Sequence, residues 1–161
     1  MCTTYVHQHL KEGDEVRLSG PYGDFYYRGD CDKMVMVAAG SGLAPMRSLV
    51  YDNLHKKVPV DMVFYFGAKT QKDLFYVEEM MKLDQENDNF RYIPVLSQPD
   101  EGWTGETGLV TEALDKGLAA EGGSHRAEAY LCGSPGFLKA SNDVLKKHGF
   151  NKETQIFYDE F

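Results

Sequence analysis

The 161-residue sequence is poor in cysteine and has no long apolar run. Its three cysteines, Cys2, Cys31 and Cys132, lie far apart, and none belongs to a C-x-x-C pair. This spacing argues against a zinc site, an iron–sulfur cluster and a disulfide scaffold, and it favours a reducing compartment. Apolar runs such as residues 34–39 have the length of a strand, whereas a membrane helix needs about 20 residues. We therefore expect a soluble protein on the cytoplasmic side.

Positive charge is also scarce, because 17 lysines and arginines stand against 25 aspartates and glutamates. The formal net charge of -8 repels nucleic-acid phosphates at long range, so nucleic acid is not an expected partner. A small dinucleotide is still compatible with this charge, since local charge decides its binding. The length, with 42% hydrophobic residues, suffices for one sizeable core and a small appendage.

Short apolar runs alternate with helical repeats, and this order predicts a five-stranded, parallel, doubly wound α/β sheet. The strands are expected at 34–39, 60–66, 90–96, 129–132 and 155–158, and the helices at 45–57, 71–83, 111–118 and 136–148. Residues 1–29 differ, because turn glycines there separate alternating apolar positions. We predict that they form an antiparallel strand pair, the end of a preceding β domain, and that the α/β domain spans 30–161.

A glycine loop, Gly40-Ser41-Gly42, separates the first predicted strand from Pro45, a residue suited to the start of a helix. No carboxylate occurs between Asp32 and Asp52, and Arg47 adds positive charge one turn into the helix. Such a loop lets a pyrophosphate approach free backbone N–H groups, although the same pattern is typical of an ordinary tight turn. The third glycine of the usual dehydrogenase pattern is absent, and no acidic residue closes the second strand.

Four stretches in this order resemble the NAD-binding half of the ferredoxin–NADP reductase superfamily: GSGLAPMRS at 40–48, FGAKTQKDLFYVEEM at 66–80, LCGSPGF at 131–137 and YDEF at 158–161. The loop motif of that superfamily, G-x-G-x-x-P, accounts for the proline. WTGETG at 103–108 and the acidic ending bring the sequence nearest to the F subunits of Na+-translocating NADH:quinone reductases. Reductase components of bacterial diiron monooxygenases and phenol hydroxylases are the alternative, followed by a non-catalytic nucleotide-binding module.

The resemblance implies an NADH-binding module that passes hydride from NADH to FAD, from which electrons continue to a 2Fe-2S centre. In that superfamily a β-barrel domain holds FAD, and the resemblance implies that residues 1–29 are the C-terminal remnant of such a domain. The barrel's R-x-Y-S/T flavin motif, the ferredoxin cysteines and a membrane anchor do not occur in the sequence. We therefore expect a fragment, with Met1 an added start, that is inactive alone. Its implied partners are NADH, the FAD and ferredoxin domains of a parent chain, and other subunits of a complex on the inner membrane.

The resemblance also assigns roles to residues at three strand ends. Each glycine or small residue there has a plainer interpretation as an ordinary turn, and Pro45 as a helix starter. Lys69 could attract the 2′-phosphate of NADPH, but no arginine, the residue that binds phosphate with two hydrogen bonds, accompanies it, so NADH is favoured over NADPH. No metal site is predicted. The expected cofactor-binding residues are Gly40, Ser41, Gly42 and Pro45 for the pyrophosphate, Gly67, Ala68 and Lys69 for the adenosine half, and Gly133, Ser134 and Pro135 beside Cys132.

Two roles concern the flavin. Cys132 is expected to shape the hydride-transfer pocket without acting as a nucleophile, and Phe161 to lie over the flavin ring. The CTTY segment at 2–5 resembles the last motif of the barrel, so Thr3 and Thr4 are expected to meet the FAD pyrophosphate. A buried structural cysteine and an aromatic that fills a hydrophobic gap are the plainer interpretations of Cys132 and Phe161.

Overall fold

The computed structural model describes residues 2–20, 22–29, 31–121 and 126–160, which contain six strands and five α-helices. The strands are β1 Lys33–Ala39, β2 Asp61–Ala68, β3 Phe90–Leu96, β4 Glu106–Thr107, β5 Ala127–Gly133 and β6 Ile156–Glu160. The helices are α1 Cys2–Gln8, α2 Leu43–His55, α3 Val77–Glu86, α4 Val110–Glu121 and α5 Pro135–Lys147. Within these ranges, no helix combines the length and apolarity that crossing a bilayer requires.

All six strands form one parallel sheet in the order β4-β3-β2-β1-β5-β6. The chain builds outward from β1 to β4 and then returns to place β5 on the other side of β1. The predicted parallel α/β sheet is confirmed, but the predicted count of five strands is wrong. The additional strand is β4, whose two residues pair with Val95 and Leu96. It is too short to carry the alternation by which a strand is recognised in sequence.

Alternation along β1 sends its side chains to two cores, one on each face of the sheet. Met34, Met36 and Ala38 join the core beneath α2 and α3, whereas Val35 and Val37 join the core beneath α4 and α5. Strands buried on both faces are near-continuously apolar, as β1 is. The predicted double winding is therefore confirmed.

The four predicted helices all begin at residues other than the predicted ones, by one residue in α4 and α5 and by more in α2 and α3. α2 begins at Leu43, so Pro45 is its third residue, a position that costs no helical hydrogen bond because the first-turn N–H groups have no internal acceptor. The helix predicted at 71–83 is divided. A short 3₁₀ turn covers Gln71–Asp73, and α3 begins only after Tyr76, whose φ of 55° interrupts the helical path.

The predicted antiparallel strand pair near the N-terminus is wrong. Residues 11–20 contain no strand and are exposed, with Leu18 retaining 86% of its accessible surface. Alternating apolar residues form a stable strand only when a sheet covers one face, and an isolated hairpin is marginal. The chain rejoins the core at Phe25, which packs edge-on against Tyr130, and the Arg28 N–H donates to the Tyr130 hydroxyl at 3.0 Å.

Candidate functional site

The carboxyl ends of β1 and β5 form the point at which the strand order of the sheet reverses. The two strands are paired in register up to Ala38 and Cys132. The chain then enters α2 through Gly40–Gly42 on one side and α5 through Ser134 on the other. Crevices at such reversal points bind ligands in open α/β sheets, because loops from the two strands diverge there and leave backbone groups accessible.

The glycine loop forms a 3₁₀ turn whose two glycines serve different purposes. Gly40 is exposed, has a φ of 56°, and has nothing within 4 Å of the position that a Cβ would take. Gly42 is buried, and a Cβ on it would overlap the carbonyl oxygen of Cys132 and lie 2.8 Å from the carbonyl carbon. The loop therefore rests directly on the β5 backbone through Gly42, while the space next to Gly40 is open.

The β5 side of the crevice is also built from small side chains. Gly133 is buried, and a Cβ there would lie 2.5 Å from the ring of Phe137. Ser134 is exposed in an extended conformation and precedes Pro135, the first residue of α5, where proline's fixed φ suits the helix. The predicted helix therefore begins one residue earlier than expected.

Cys132 lies at the base of this crevice and is 2% exposed. Burial, with a smaller contribution from the nearby Asp159 carboxylate, raises the pKa of its thiol to about 11. Asp159 is its register partner on β6. The thiol is consequently neutral at physiological pH, and a neutral thiol is a poor nucleophile.

A cleft of about 420 Å³ extends from the glycine loop across the carboxyl ends of β2 and β3. It brings Gly40 together with Gly67, Ala68 and Lys69, which the sequence predicted to lie along one ligand. Gly67 is required for close packing, because a Cβ there would lie 2.8 Å from a methyl group of Val110 in α4. The cleft is also lined by residues that were not predicted to bind a ligand, namely Ala39, Asp73, Val95, Ser97, Gly108, Leu109 and Val110.

Asp73 brings a carboxylate to this cleft from the 3₁₀ turn rather than from the end of β2. Its Oδ2 accepts hydrogen bonds from the Thr70 N–H at 2.9 Å and from the Thr70 hydroxyl at 2.8 Å. These bonds, aided by the charge of Lys69, lower the pKa of the Asp73 carboxyl below its ordinary value. The T-x-x-D spacing of a capping box was the available sequence signal.

Arg47, which the sequence placed one turn after the glycine loop, is paired with a carboxylate on α3. Its guanidinium makes two hydrogen bonds to the Glu79 carboxylate, at 2.6 and 3.2 Å, and lies over the rings of Tyr51 and Tyr76. The hydrogen bonds to Arg47 lower the pKa of the Glu79 carboxyl. The pair joins α2 to α3 behind the site, a long-range contact without a sequence signal.

Two of the remaining predicted residues, Thr3 and Thr4, are not among the residues that line the crevice or the cleft. Thr3 and Thr4 lie on α1 and are exposed, and residues 3–9 bury no side chain. Phe161 lies outside the described residues. Among the residues that the structure does describe, no three His, Cys, Asp or Glu side chains approach closely enough to hold a metal ion.

Comparison with known proteins gives matches over most of the chain. The family model described as the oxidoreductase NAD-binding domain matches residues 36–143. The F subunit of the Na(+)-translocating NADH-quinone reductase of Methylococcus capsulatus is 38% identical over 156 residues, covering 94% of this chain and 38% of that protein. The chain thus spans well under half of the length of this curated relative.

Solved structures share the fold at lower sequence identity. A cytochrome P450 reductase of Amycolatopsis superposes with a TM-score of 0.81 and 24% identity, covering 99% of this chain and 47% of that one. A ferredoxin NADP+ reductase of Neisseria gonorrhoeae with bound FAD and NADP gives a TM-score of 0.69 and 20% identity, covering 81% of this chain and 56% of that one.

Proposed function

Because the chain belongs to the family of oxidoreductase NAD-binding domains, we propose that it binds NADH along the carboxyl edge of its sheet and presents the nicotinamide to a flavin held by another domain. The observation that carries this proposal is the contact between the glycine loop and β5. Gly42 lies against the Cys132 carbonyl, so the proposed pyrophosphate and nicotinamide positions are directly adjacent.

The residues at this edge fit a dinucleotide in shape and charge. Nothing lies within 4 Å of the Cβ position of Gly40, so the loop leaves space beside its backbone that a pyrophosphate could occupy. The first turns of α2 and α5, which begin here, contain no acidic residue, whereas those of α3 and α4 do. Free N–H groups at a helix start attract an anion, and a carboxylate beside them would compete with it.

The proposed roles divide the dinucleotide into three parts. The 420 Å³ cleft beside Gly67, Ala68 and Lys69 would hold the adenosine half. The loop of Gly40–Gly42, followed by Pro45, would hold the pyrophosphate. When bound, NADH supplies a hydride that the flavin accepts. Near that step, the neutral Cys132 thiol and the Gly133–Pro135 turn would fix the position of the ring and exclude water, a contribution of positioning.

We extend the proposal to a longer parent protein, since the chain covers 38% of the F-subunit relative. In such a parent, a barrel domain would hold FAD, with Thr3 and Thr4 at its pyrophosphate and Phe161 over its ring, and a ferredoxin domain would hold the 2Fe-2S centre. The F-subunit similarity supports an NADH:quinone reductase within a complex on the cytoplasmic side of an inner membrane. A monooxygenase reductase is the second candidate, and a ferredoxin domain without a membrane anchor in the parent would favour it.

The proposal is tested by titrating the chain with NADH and then adding an FAD-loaded barrel domain while following flavin absorbance. We expect saturable NADH binding to the chain, and bleaching of the flavin only when all three components are present. In the full-length parent, Cys132→Ala should slow flavin reduction more than it weakens NADH binding. Absence of NADH binding would refute the site, and binding without flavin reduction would refute the redox role.

A further inference from the structure

The charge of the adenosine cleft is set by two opposed side chains. Among its described lining residues, Lys69 and Asp73 are the charged ones, and the rest are glycines, apolar residues and Ser97. A lysine alone would attract any additional phosphate on the ligand. The carboxylate beside it offsets that attraction, so the cleft offers no net positive charge to a phosphorylated ribose.

The Asp73 carboxylate is held in a fixed position rather than swinging freely in solvent. Both Thr70 donors bind the same oxygen, Oδ2, and they tie the side chain to the loop that follows β2. The capping box does not use the other oxygen, Oδ1, which keeps its lone pairs for further donors. An oriented carboxylate with a spare oxygen, on a cleft floored by Gly67, is suited to accept hydrogen bonds from vicinal hydroxyl groups.

We propose that Asp73 is a specificity-determining residue that selects the unphosphorylated dinucleotide, by accepting hydrogen bonds from the adenosine ribose hydroxyls and repelling a phosphate on the 2′-oxygen. This inference depends on the proposed function. A carboxylate contacting the 2′-hydroxyl is the usual physical basis of such a preference, whereas an arginine accommodates the 2′-phosphate. Here the carboxylate comes from a capped 3₁₀ turn, five residues after β2 ends at Ala68.

The test is isothermal titration calorimetry of the chain with NADH and with NADPH, comparing wild type with Asp73→Asn. Asparagine has nearly the same shape and still accepts a hydrogen bond from the Thr70 N–H. We expect wild type to bind NADH more tightly. In Asp73→Asn, the ratio of the NADPH to the NADH dissociation constant should fall about tenfold, equivalent to about 1.4 kcal/mol.

The matched control is Asp61→Asn, which removes the same charge at the exposed first residue of β2, at the opposite end of the strand. It should leave the ratio unchanged. Lys69→Gln should move the ratio in the other direction, because it leaves Asp73 unopposed, and this variant keeps the inference testable if Asp73→Asn fails to fold.

The outcomes separate the inference from the function on which it rests. An equal ratio in Asp73→Asn and Asp61→Asn, or equal affinity of wild type for the two dinucleotides, would overturn the role of Asp73 and leave the binding site intact. A chain that binds neither dinucleotide would overturn the proposed function, and the role of Asp73 with it.

Discussion

Replacing Gly42 with alanine should destabilise the protein, although the backbone conformation by itself favours alanine. Gly42 has a φ of -61° and a ψ of -11°, so alanine can adopt this geometry without strain. At such a position, replacing glycine with alanine ordinarily stabilises by about 0.4–1 kcal/mol, because it restricts the unfolded chain. Here the added methyl group would overlap the Cys132 carbonyl oxygen and lie 2.8 Å from its carbon. The obstacle is backbone, so it cannot rotate away.

The glycine loop and β5 must therefore separate, and overpacking of this kind costs about 1–3 kcal/mol. For a chain of this size we expect the melting temperature to fall by about 3–10 °C. Thermal unfolding followed by circular dichroism measures the change. Gly136→Ala is the matched control, since Gly136 lies in the first turn of α5 with nothing within 4 Å of its Cβ position. A Gly42→Ala protein as stable as Gly136→Ala would refute the proposed packing of the loop on β5.

Two further predictions concern the core. Replacing Gly117 of α4 with alanine should destabilise the protein despite alanine's higher helix propensity, because the added methyl group would overlap the Tyr65 hydroxyl. Tyr65→Phe removes that oxygen, so a double-mutant cycle measured by urea unfolding should show a coupling energy of about 1–3 kcal/mol between the two positions. Additive effects of the two substitutions would contradict the contact. Folding raises the pKa of the Cys132 thiol from 9.0 to about 11, because burial disfavours the thiolate. The folded state is therefore fully stable with respect to this group below pH 9, and it loses stability as the pH rises toward 11 and the unfolded chain ionises more readily. Wild type should lose about 2 kcal/mol more than Cys132→Ala between about pH 8 and about pH 10.5 in urea unfolding, and parallel losses would disprove the shift.

The sheet was predictable because its strands are buried on both faces and carry their own signal. The strand predicted at 90–96 forms at the same residues, and the apolar run at 34–39 lies within β1. The family was also predictable, since four motifs occur in a fixed order, and the match over residues 36–143 confirms it. These features depend on local sequence, so they can be predicted without knowing which distant residues are in contact.

Features set by distant partners were not predictable. The alternation near Val16 and Leu18 is that of a strand, but no neighbouring sheet covers it, so both side chains remain exposed. Tyr76 adopts a left-handed conformation that tyrosine does not ordinarily prefer, and α3 therefore begins only at Val77. The two residues of β4 acquire their strand geometry only from pairing with β3.

The candidate site divides in the same way. The position of Gly40 and Gly42 in a turn between a strand and a helix was predictable from the sequence pattern, whereas their role in binding rests on the family resemblance and stays a prediction. The proposed role of Asp73 was not predictable, because Asp73 lies in a 3₁₀ turn five residues after β2, whereas the ordinary ribose carboxylate follows the end of the second strand. The ion pair between Arg47 and Glu79 was not predictable either, because the two residues are 32 positions apart in sequence.

The central claim, that backbone amides at the carboxyl edge hold the dinucleotide, is tested most directly by nuclear magnetic resonance. Amide chemical shifts of the isotope-labelled chain would be followed during titration with NADH. We expect the largest changes at Gly40, Ser41, Gly42 and Gly133, with Asp61 and Asn89 at the opposite edge of the sheet unaffected. Saturable changes concentrated at that opposite edge, or none at the glycine loop, would contradict the assignment.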